Sequence, residues 1–388
     1  MTERTTRLLP LRGRSVFLTG HTGFKGSWLA LWLAKLGARV TGYSLDAPSD
    51  TNNFATSRVR DVLHDHVHGD IRDAQALGAA MRRAKPDLVL HLAAQSVVRE
   101  GYRSPRDTFD VNVMGTIGVL EAVRELDRPC AVICVTSDKC YENVEQVWGY
   151  RECDAMGEHD PYGGSKGAAE LAIRSWRHSY FPPDRIAQHG VRLASARAGN
   201  VVGGGDWKKD ALVVDVVKAI GRGEAVALRS PHAFRPWQHV LQALSGYLAL
   251  AAELLEADDA DGAAPLCDGW NFGPVPGNEL PVHRVVEILQ RSYHRGAGGP
   301  GWTDASDPAN PRESTILRLS IDKALWELDW RPCWDVEKVL HETARWYRTH
   351  AERGADASMQ DVTLEQIALY EEAFLGAASP TLVPELET

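Results

Sequence analysis

Three adjacent side chains with different chemistry follow an apolar run near the middle of the chain. Ser137, Asp138 and Lys139 come at the end of the strand-like stretch CAVICVTS (130–137), so they are expected where a buried strand ends. Together a hydroxyl, a carboxyl and an amine can hydrogen-bond a ligand, donate a proton, and hold or accept charge. An adjacent acid and lysine can equally form a solvated turn, and the triplet alone leaves both interpretations open.

A second candidate pair is Tyr162 and Lys166, which fall in the helix-like stretch YGGSKGAAELAIRSWRHSY (162–180). Side chains four residues apart lie one turn apart on the same helix face, so both can meet one ligand. A free tyrosine has a pKa of about 10, and a neighbouring cation lowers it, which makes Tyr162 a candidate base for an alcohol. The alternative is an aromatic residue at a helix start beside a surface lysine.

A glycine-rich loop lies close to the N-terminus. Gly20, Gly23 and Gly26 fall between a strand-like stretch (15–20) and a helix-like stretch (25–38). Glycines in this context allow a tight turn and let the backbone approach a pyrophosphate at the start of the helix. Glycines also pack strands on helices, so the loop predicts a dinucleotide site mainly because of its context.

Further residues at predicted strand ends fit a dinucleotide. Asp46 follows Gly26 by 20 positions, a spacing that suits a carboxylate on a ribose 2'-hydroxyl and favours NAD over NADP, although it also begins the polar turn DAPSD. Ligands of open α/β sheets bind at the carboxyl ends of the strands. The remaining cofactor candidates are Phe24 in the glycine loop, Asp70 and Ile71 near adenine, and Leu92, Ala93 and Ala94 near the nicotinamide ribose.

The elements that must position these residues alternate along the first half of the chain. Apolar β-rich runs at 15–20, 39–45, 87–94, 130–137 and 191–200 alternate with helical patterns at 25–38, 73–86, 107–126 and 162–180. Unbroken apolar strands separated by helices predict a parallel sheet that is covered on both faces. The expected fold class is therefore α/β, with a Rossmann-type doubly wound parallel sheet.

The pattern changes after residue 200, where loops rich in Gly, Pro and Trp separate helical stretches at 208–222, 240–256, 281–294 and 335–350. We expect residues 1–200 to form the cofactor-binding domain. Residues 201–373 are expected to form mainly a smaller C-terminal substrate lobe, with some segments returning to the sheet. Residues 374–388 are predicted to be a loose tail.

Composition narrows the class of protein. The 388 residues carry a formal net charge of -9 and no basic stripe, which argues against a nucleic-acid partner. The six cysteines show no CxxC spacing, so neither a metal site nor a disulfide framework is expected. The N-terminal stretch lacks the apolar core of a signal peptide, and no apolar run is long enough to span a membrane. We therefore expect a cytoplasmic protein with no membrane partner.

The combination of these motifs resembles a known superfamily. The glycine loop, HLAAQS (91–96), VTSDK (135–139) and the Tyr162/Lys166 pair are typical of the extended short-chain dehydrogenase/reductases. More specifically, from about residue 12 to about 347 the chain is similar to the CDP-glucose 4,6-dehydratases, and the similarity is carried by GHTGFKGSWLALWL, TSDKCYEN, WGYRE, GNVVGGGDW and RPWQHV. The resemblance implies bound NAD, a nucleotide-sugar substrate, most specifically CDP-glucose, and a homodimer.

The resemblance also implies a role for each candidate. Ser137, Tyr162 and Lys166 would serve oxidation at sugar C4, and Asp138 would protonate the leaving C6 hydroxyl. Lys139 would either take the C5 proton as a neutral amine or hold the enolate as a cation while Tyr162 or Glu142 takes the proton. The residues expected to contact the substrate are Gln95, Ser96, Asn200, Asp206, Trp207, Arg235 and His239.

Two segments depart from the pattern of these dehydratases. The chain reads DALVVD at 210–215, where an arginine and a proline are usual, and Arg312-Glu313-Ser314 where HEA is frequent. Both segments belong to the predicted substrate lobe, so the nucleotide and the sugar stay open. Two alternatives follow from the same motifs: a nucleotide-sugar epimerase or oxidoreductase, and a binding module that senses NAD without catalysis. The Asp138-Lys139 pair disfavours the first, and the Ser137/Tyr162/Lys166 set disfavours the second.

Overall fold

The structure is a computed structural model, and it describes residues 7–47, 49, 51–208, 211–257, 262–275, 277–296, 298–307 and 316–376. None of the helices in these ranges is both long and apolar enough to cross a membrane. Within the same ranges, no group of three or more His, Cys, Asp or Glu side chains is arranged to hold a metal ion. All six cysteines are free thiols.

A seven-stranded parallel sheet forms the centre of the molecule, and its strands run in the order β11-β6-β5-β4-β1-β2-β3. The strands are β1 (Ser15–Thr19), β2 (Arg39–Ser44), β3 (Asp65–His68), β4 (Leu88–His91), β5 (Cys130–Val135), β6 (Val191–Ala198), β7 (Val201–Val202), β8 (Val226–Leu228), β9 (Phe234–Pro236), β10 (Gln238–His239), β11 (Gly269–Phe272), β12 (Glu279–Pro281) and β13 (Trp302–Asp304). The strand order reverses between β1 and β4, which creates the crevice where such sheets bind ligands.

Helices cover both faces of the sheet, which confirms the predicted doubly wound fold. They are α1 (Phe24–Lys35), α2 (Asn53–Thr56), α3 (Ala74–Ala84), α4 (Val98–Arg103), α5 (Pro105–Phe109), α6 (Gly115–Arg124), α7 (Pro161–Ser179), α8 (Ile186–His189), α9 (Leu212–Arg222), α10 (Val240–Glu256), α11 (Val282–Tyr293), α12 (Asp322–Glu327), α13 (Val336–Arg353) and α14 (Gln360–Gly376). Side chains alternate along each strand. Val16 and Leu18 of β1 therefore enter one core with α1 and α10, and Phe17 enters the other with α3 and α6.

Two helical predictions differ from the structure. The stretch predicted as one helix at 107–126 begins at Pro105 and contains a π-helical segment, Asp110–Met114, between α5 and α6. Near the C-terminus, residues 374–376 of the predicted tail belong to α14, and Phe374 is buried because α14 packs on α1 and α10. Residues 377–388 lie outside the described residues.

The segments after residue 200 form short two-stranded sheets, β10-β7, β12-β9 and β13-β8, together with α9, α11 and α13. Two elements return to the main sheet: β11 pairs with β6 at its edge, and α10 packs beside β5. Such returning segments are consistent with the predicted organisation. The domain boundaries at 200 and 373 stay a prediction.

Candidate active site at the carboxyl ends of the strands

The glycine loop passes directly over the end of β4. Gly20 has a φ of +75°, and a Cβ atom placed on it would lie 2.7 Å from the backbone nitrogen of Ala93. A Cβ on Gly26 would lie 2.1 Å from the carbonyl oxygen of Gly20, so a side chain cannot fit there. Helix α1 starts at Phe24, and its N-cap residue, Gly23, provides no side-chain acceptor for the first N–H groups. These N–H groups are a suitable binding site for a diphosphate.

The predicted adenosine end of the site lies at β2 and β3. The side chain of Asp46 is 92% exposed, and its carboxylate lies 3.6 Å from Nε2 of His68. It is therefore accessible to a ribose hydroxyl. The carboxylate of Asp70 accepts hydrogen bonds from the backbone and guanidinium of Arg72, which lower its pKa. Ile71 is buried in the core that contains α3 and α6.

The segment after β4 is held by hydrogen bonds that the sequence did not reveal. Oγ1 of Thr19 accepts hydrogen bonds from the N–H groups of Leu92 and Ala93, and Ala94 follows them as a half-buried residue. The Asn112 carboxamide accepts from the backbone N–H of Gln95 and donates to its carbonyl oxygen.

Asn112 is a residue that motif reading missed. It also donates to Oγ of Ser165, which lies between Tyr162 and Lys166 on α7. Asn112 lies in the π-helical segment, and an interruption of this kind cannot be read from a continuous helical pattern.

The side chains of Gln95 and Ser96 differ in their surroundings. Nε2 of Gln95 donates to Oγ1 of Thr108, and Oε1 accepts from the N–H of Val97, so the amide stabilises its own loop. Ser96 is exposed. The predicted role of these two residues in substrate binding stays a prediction.

Ser137, Tyr162 and Lys166 are brought together at the end of β5 and the start of α7. All three are nearly fully buried. A hydrogen bond joins the Tyr162 hydroxyl to Ser137, and it lowers the tyrosine pKa, but burial has the larger effect and raises the pKa well above its usual value. Burial lowers the pKa of Lys166 to about 8. The expectation that a neighbouring lysine lowers the pKa of Tyr162 is therefore not met, because burial outweighs the favourable contacts.

Asp138 is buried directly beside this set. Oγ of Ser137 donates a hydrogen bond of 3.0 Å to Oδ1 of Asp138. A Cβ atom on Gly199 would lie 2.9 Å from Oδ2 of Asp138, so the carboxyl group faces the end of β6. Burial raises the pKa of Asp138, and this effect exceeds the opposing effects of Lys139, Ser137 and Lys25. Asp138 thus has the properties of a proton donor, whereas Lys139 is half-buried beside it.

Lys25 of α1 lies close to the same residues. Its pKa is lowered to about 8 by desolvation, and the charges of Lys208, Asp138 and Lys166 also act on it. Lys25 is half-buried.

The predicted substrate residues from position 200 onward differ in their burial and contacts. Asn200 and Arg235 are half-buried, and Arg235 lies on β9, where its Nη1 donates to the carbonyl oxygen of Phe234. Asp206 is buried and accepts from the backbone N–H of Lys208. Trp207 packs edge-on against Tyr347, so packing is the contact that the structure describes for it.

His239 requires a correction. It is fully buried between Trp28 and Trp334, and Nδ1 accepts a hydrogen bond from the N–H of Leu241. His239 is the N-cap of α10, and burial lowers its pKa to about 3. The ring therefore caps a helix in the core and has no exposed surface, which does not fit its predicted contact with the substrate. The departing segment 210–215 is described from residue 211, where it leads into α9, and 312–314 lies outside the described residues.

Comparisons with known proteins show which family this chain belongs to. The sequence profile of the GDP-mannose 4,6 dehydratase family matches residues 17–251. A CDP-glucose 4,6-dehydratase of Salmonella typhimurium is 44% identical over 345 residues, which cover 89% of this chain and 93% of the relative. A dTDP-glucose 4,6-dehydratase of Xanthomonas campestris is 24% identical over 86% of this chain and 93% of the relative.

Solved structures share the fold. The epimerase Mth375 of Methanothermobacter thermautotrophicus superposes with a TM-score of 0.72 at 22% identity, over 91% of this chain and 97% of its own. DesIV of Streptomyces venezuelae, a dTDP-glucose 4,6-dehydratase solved with NAD bound, gives a TM-score of 0.69 at 23% identity, over 87% of this chain and 98% of its own.

Proposed function

Because this chain belongs to the CDP-glucose 4,6-dehydratase family of the extended short-chain dehydrogenase/reductase superfamily, we propose that it converts CDP-D-glucose to CDP-4-keto-6-deoxy-D-glucose. The chain is a hydro-lyase that acts on a nucleotide sugar with NAD as its cofactor. The observation that carries the proposal is the buried cluster of Ser137, Asp138, Tyr162 and Lys166, which joins a set for alcohol oxidation to a carboxyl group with a raised pKa.

NAD fits the described residues. The uncapped start of α1 and the tight loop from Gly20 to Gly26 offer backbone N–H groups to the diphosphate. The exposed carboxylate of Asp46 is available to the adenosine ribose, and we assign the nicotinamide ribose to Lys166 and the backbone at Leu92–Ala94. When bound, NAD supplies a hydride acceptor for C4 and returns the hydride to C6.

For oxidation at C4, Tyr162 takes the proton of the C4 hydroxyl, and Ser137 hydrogen-bonds the same oxygen. The high pKa of Tyr162 makes deprotonation costly while the site is uncharged. The ammonium groups of buried Lys166 and half-buried Lys25 favour an anion in this pocket, and the lowered pKa of each, about 8, places its titration near neutral pH.

For elimination, the C4 ketone acidifies C5, the C5 proton is removed, and the C6 hydroxyl leaves as water after it receives a proton from Asp138. The carbon skeleton loses one water, and the sugar undergoes no net redox change. Lys139 lies beside Asp138, so we assign it to the C5 side of the reaction. It acts there as a neutral base that takes the C5 proton, or as a cation that holds the enolate while the Glu142 carboxylate takes that proton.

The finer points of the proposal concern specificity, assembly and location. Arg235 and Asn200 are assigned to the nucleotide diphosphate because both are accessible on the substrate lobe.

A homodimer is supported by apolar side chains exposed on the helices of one face of the sheet: Tyr102, Phe109, Met114, Leu171 and Tyr180. A cytoplasmic location is supported by six free cysteine thiols.

The test is incubation of the purified chain with NAD and, in separate reactions, CDP-glucose, dTDP-glucose, UDP-glucose and GDP-mannose. We expect CDP-glucose to give a 4-keto product that has lost one water, measured by mass spectrometry. An unchanged mass with inverted stereochemistry would indicate an epimerase. NAD binding without turnover of any of these sugars would support the sensing module instead.

A further inference from the structure

A buried ion pair lies one helical turn beyond Lys166, and none of the steps proposed above uses it. Glu170 of α7 and Arg197 of β6 are 3% and 4% exposed, and Oε2 lies 2.8 Å from Nη2. Nε of Arg197 donates a second bond, of 2.9 Å, to Oε1. A buried charge pair needs further hydrogen bonds to offset its desolvation, so the remaining partners of this pair are informative.

On one side, the pair is tied to the strand that leads into the catalytic residues. Oγ1 of Thr136 donates to Oε1 of Glu170 at 2.5 Å, and the backbone N–H of Thr136 donates to the carbonyl oxygen of Ala196. The Ser195 hydroxyl donates a further hydrogen bond, of 2.8 Å, to Oε2 of Glu170. Thr136 immediately precedes Ser137, so the oxidation residues are held by the sheet and by α7.

On the other side, the pair is tied to the turn that carries Asp138 and Lys139. This turn is a single 3₁₀ turn, Asp138–Cys140, and Tyr141 follows it. Nη1 of Arg197 donates to the Tyr141 hydroxyl at 2.6 Å. The hydroxyl in turn donates to Oδ1 of Asn271 on β11 at 2.8 Å, and the Tyr141 side chain is fully buried.

Asn271 extends the link into the second lobe. Its Nδ2 donates to the carbonyl oxygens of Tyr150 and Ser320, which belong to the two chain segments that pair beside the site. The tyrosine ring also stacks on Tyr150, with ring centroids 5.3 Å apart. One hydroxyl group therefore connects the catalytic helix, the turn after β5 and the substrate lobe.

This arrangement holds the two halves of the catalytic set differently. Ser137, Tyr162 and Lys166 lie at the end of β5 and on α7, and the Tyr141 hydroxyl reaches α7 indirectly, through Arg197. Asp138 and Lys139 lie in the turn that ends directly before Tyr141, and the Tyr141 hydroxyl ties the end of this turn to Arg197 and Asn271. We propose that Tyr141 is a positioning residue for the elimination of water, a role that rests on the proposed dehydratase function.

The variant Tyr141→Phe tests the role. It keeps the ring, its stacking and its contact with the Arg197 guanidinium, but it removes both hydroxyl hydrogen bonds. Displacement of catalytic groups by a fraction of an ångström slows a step strongly, so we expect elimination to slow by roughly tenfold or more. The measurements are kcat with CDP-glucose deuterated at C4 or at C5, the KM for CDP-glucose, and NAD affinity by calorimetry.

In the variant, slow elimination should enlarge the kinetic isotope effect from C5 deuterium and diminish that from C4 deuterium, while KM and NAD affinity stay within about twofold. The matched control is Ser195→Ala, which removes a hydrogen bond to the same ion pair but leaves Tyr141 untouched. Its isotope effects should equal those of the unchanged protein.

Three results would overturn the proposal: isotope effects in Tyr141→Phe equal to those of the unchanged protein, a parallel fall in both half-reactions, or the same change in Ser195→Ala. If circular dichroism shows Tyr141→Phe to be unfolded, Arg197→Lys is measured in its place. The shorter lysine side chain weakens the hydrogen bond between position 197 and the Tyr141 hydroxyl. If the unchanged protein dehydrates none of the nucleotide sugars, the proposed function fails, and that result is separate from a failure of the Tyr141 role.

Discussion

At the scale of single residues, burial sets the protonation states in the site. It raises the pKa of Asp138 and Tyr162 and lowers that of Lys166 and Lys25 to about 8. Each shift favours the neutral form of the group. Motif spacing identified Asp138, Tyr162 and Lys166 as candidates, but it predicted the wrong direction for Tyr162, because the depth of a side chain in the protein is a property of the whole fold.

Asp138→Asn should separate the two half-reactions. The amide keeps the shape of the side chain but cannot deliver a proton, so we expect C4 oxidation to persist and water loss to fall by about 10²-fold or more, the contribution of a general acid. Rapid quench with mass spectrometry distinguishes the oxidised sugar from the dehydrated one. Normal dehydration by this variant would remove Asp138 from the acid role.

The same substitution should stabilise the protein at neutral pH. Because the folded pKa of Asp138 is raised, the folded state binds the proton more tightly than the unfolded state, and stability falls as pH rises from the unfolded pKa to the folded one. Asp138→Asn removes this penalty, which is on the order of 1 kcal/mol for each pH unit by which burial raises the pKa of the carboxyl group. Urea unfolding at pH 7 measures it, and a loss of stability in the variant would contradict the assigned burial effect.

The two possible roles of Lys139 predict different elimination rates for its variants. Lys139→Ala should slow elimination by about 10²-fold under both roles, because it removes base and cation together. Lys139→Glu supplies a base without a cation, so it should retain elimination if Lys139 takes the C5 proton and lose it if Lys139 holds the enolate. Solvent deuterium incorporated at C5 of the product reports the step. Full elimination by Lys139→Ala would exclude Lys139 from the reaction.

At the scale of elements, local patterns predicted most of the sheet and of the helices. Apolar runs and glycine ends located β1, β2, β4, β5 and β6 to within a few residues, because each forms a buried strand with a turn after it. The π-helical segment with Asn112 and the end of α14 at Gly376 were missed. Both depend on contacts distant in sequence, with Ser165 and with α1, which a window of neighbouring residues does not contain.

Gly26→Ala should disable the start of α1. Its Cβ would lie 2.1 Å from the Gly20 carbonyl oxygen and 2.7 Å from Cα of His21, so the loop must move away from the diphosphate position. We expect NAD affinity, measured by calorimetry, to fall by at least about tenfold. Gly221→Ala is the matched control: no atom lies within 4 Å of its Cβ, and alanine in the last turn of α9 should change stability by less than about 1 kcal/mol. Equal NAD affinities in the two variants would contradict a role of this loop in binding.

At the scale of the whole molecule, residues in several family-specific sequence blocks form contacts that hold distant parts of the fold together. The Gly204 carbonyl of GGGDW accepts from Nε1 of Trp28 on α1, and the Asp206 carbonyl accepts from the hydroxyl of Tyr347 on α13. His239 of RPWQHV caps α10. Motif reading assigned Asp206 and His239 to the substrate because both fall in such blocks. Blocks of this kind also arise where two parts of a fold pack closely, and only the three-dimensional arrangement separates the two causes.

The buried histidines should make the whole protein sensitive to acid. His21, His91 and His239 lie in different parts of the core, and burial lowers the pKa of each to about 3. The unfolded chain protonates them near pH 6.5, so the unfolded state binds more protons between pH 6.5 and 3, and stability falls as pH falls through that window. Asp138 and Glu152, whose pKa values are raised by burial, have the opposite sign. His66 and His350 have lowered pKa values and the same sign as these three histidines.

Well below pH 6.5, each such histidine lowers the free energy of unfolding by about 1.4 kcal/mol for each pH unit of acidification, and three lower it by about 4 kcal/mol per pH unit. The total free energy of unfolding of a typical protein is about 5–15 kcal/mol. We therefore expect cooperative unfolding near pH 5, measured by circular dichroism and by urea titrations at pH 7, 6 and 5. His91→Asn should reduce the contribution of these three histidines to the pH slope by about a third, because it removes one of three rings whose pKa is lowered by burial. The control His178→Gln replaces an exposed histidine and should leave the slope unchanged. Equal stability at pH 7 and pH 5, or an unchanged slope in His91→Asn, would show that these rings do not govern the acid limit.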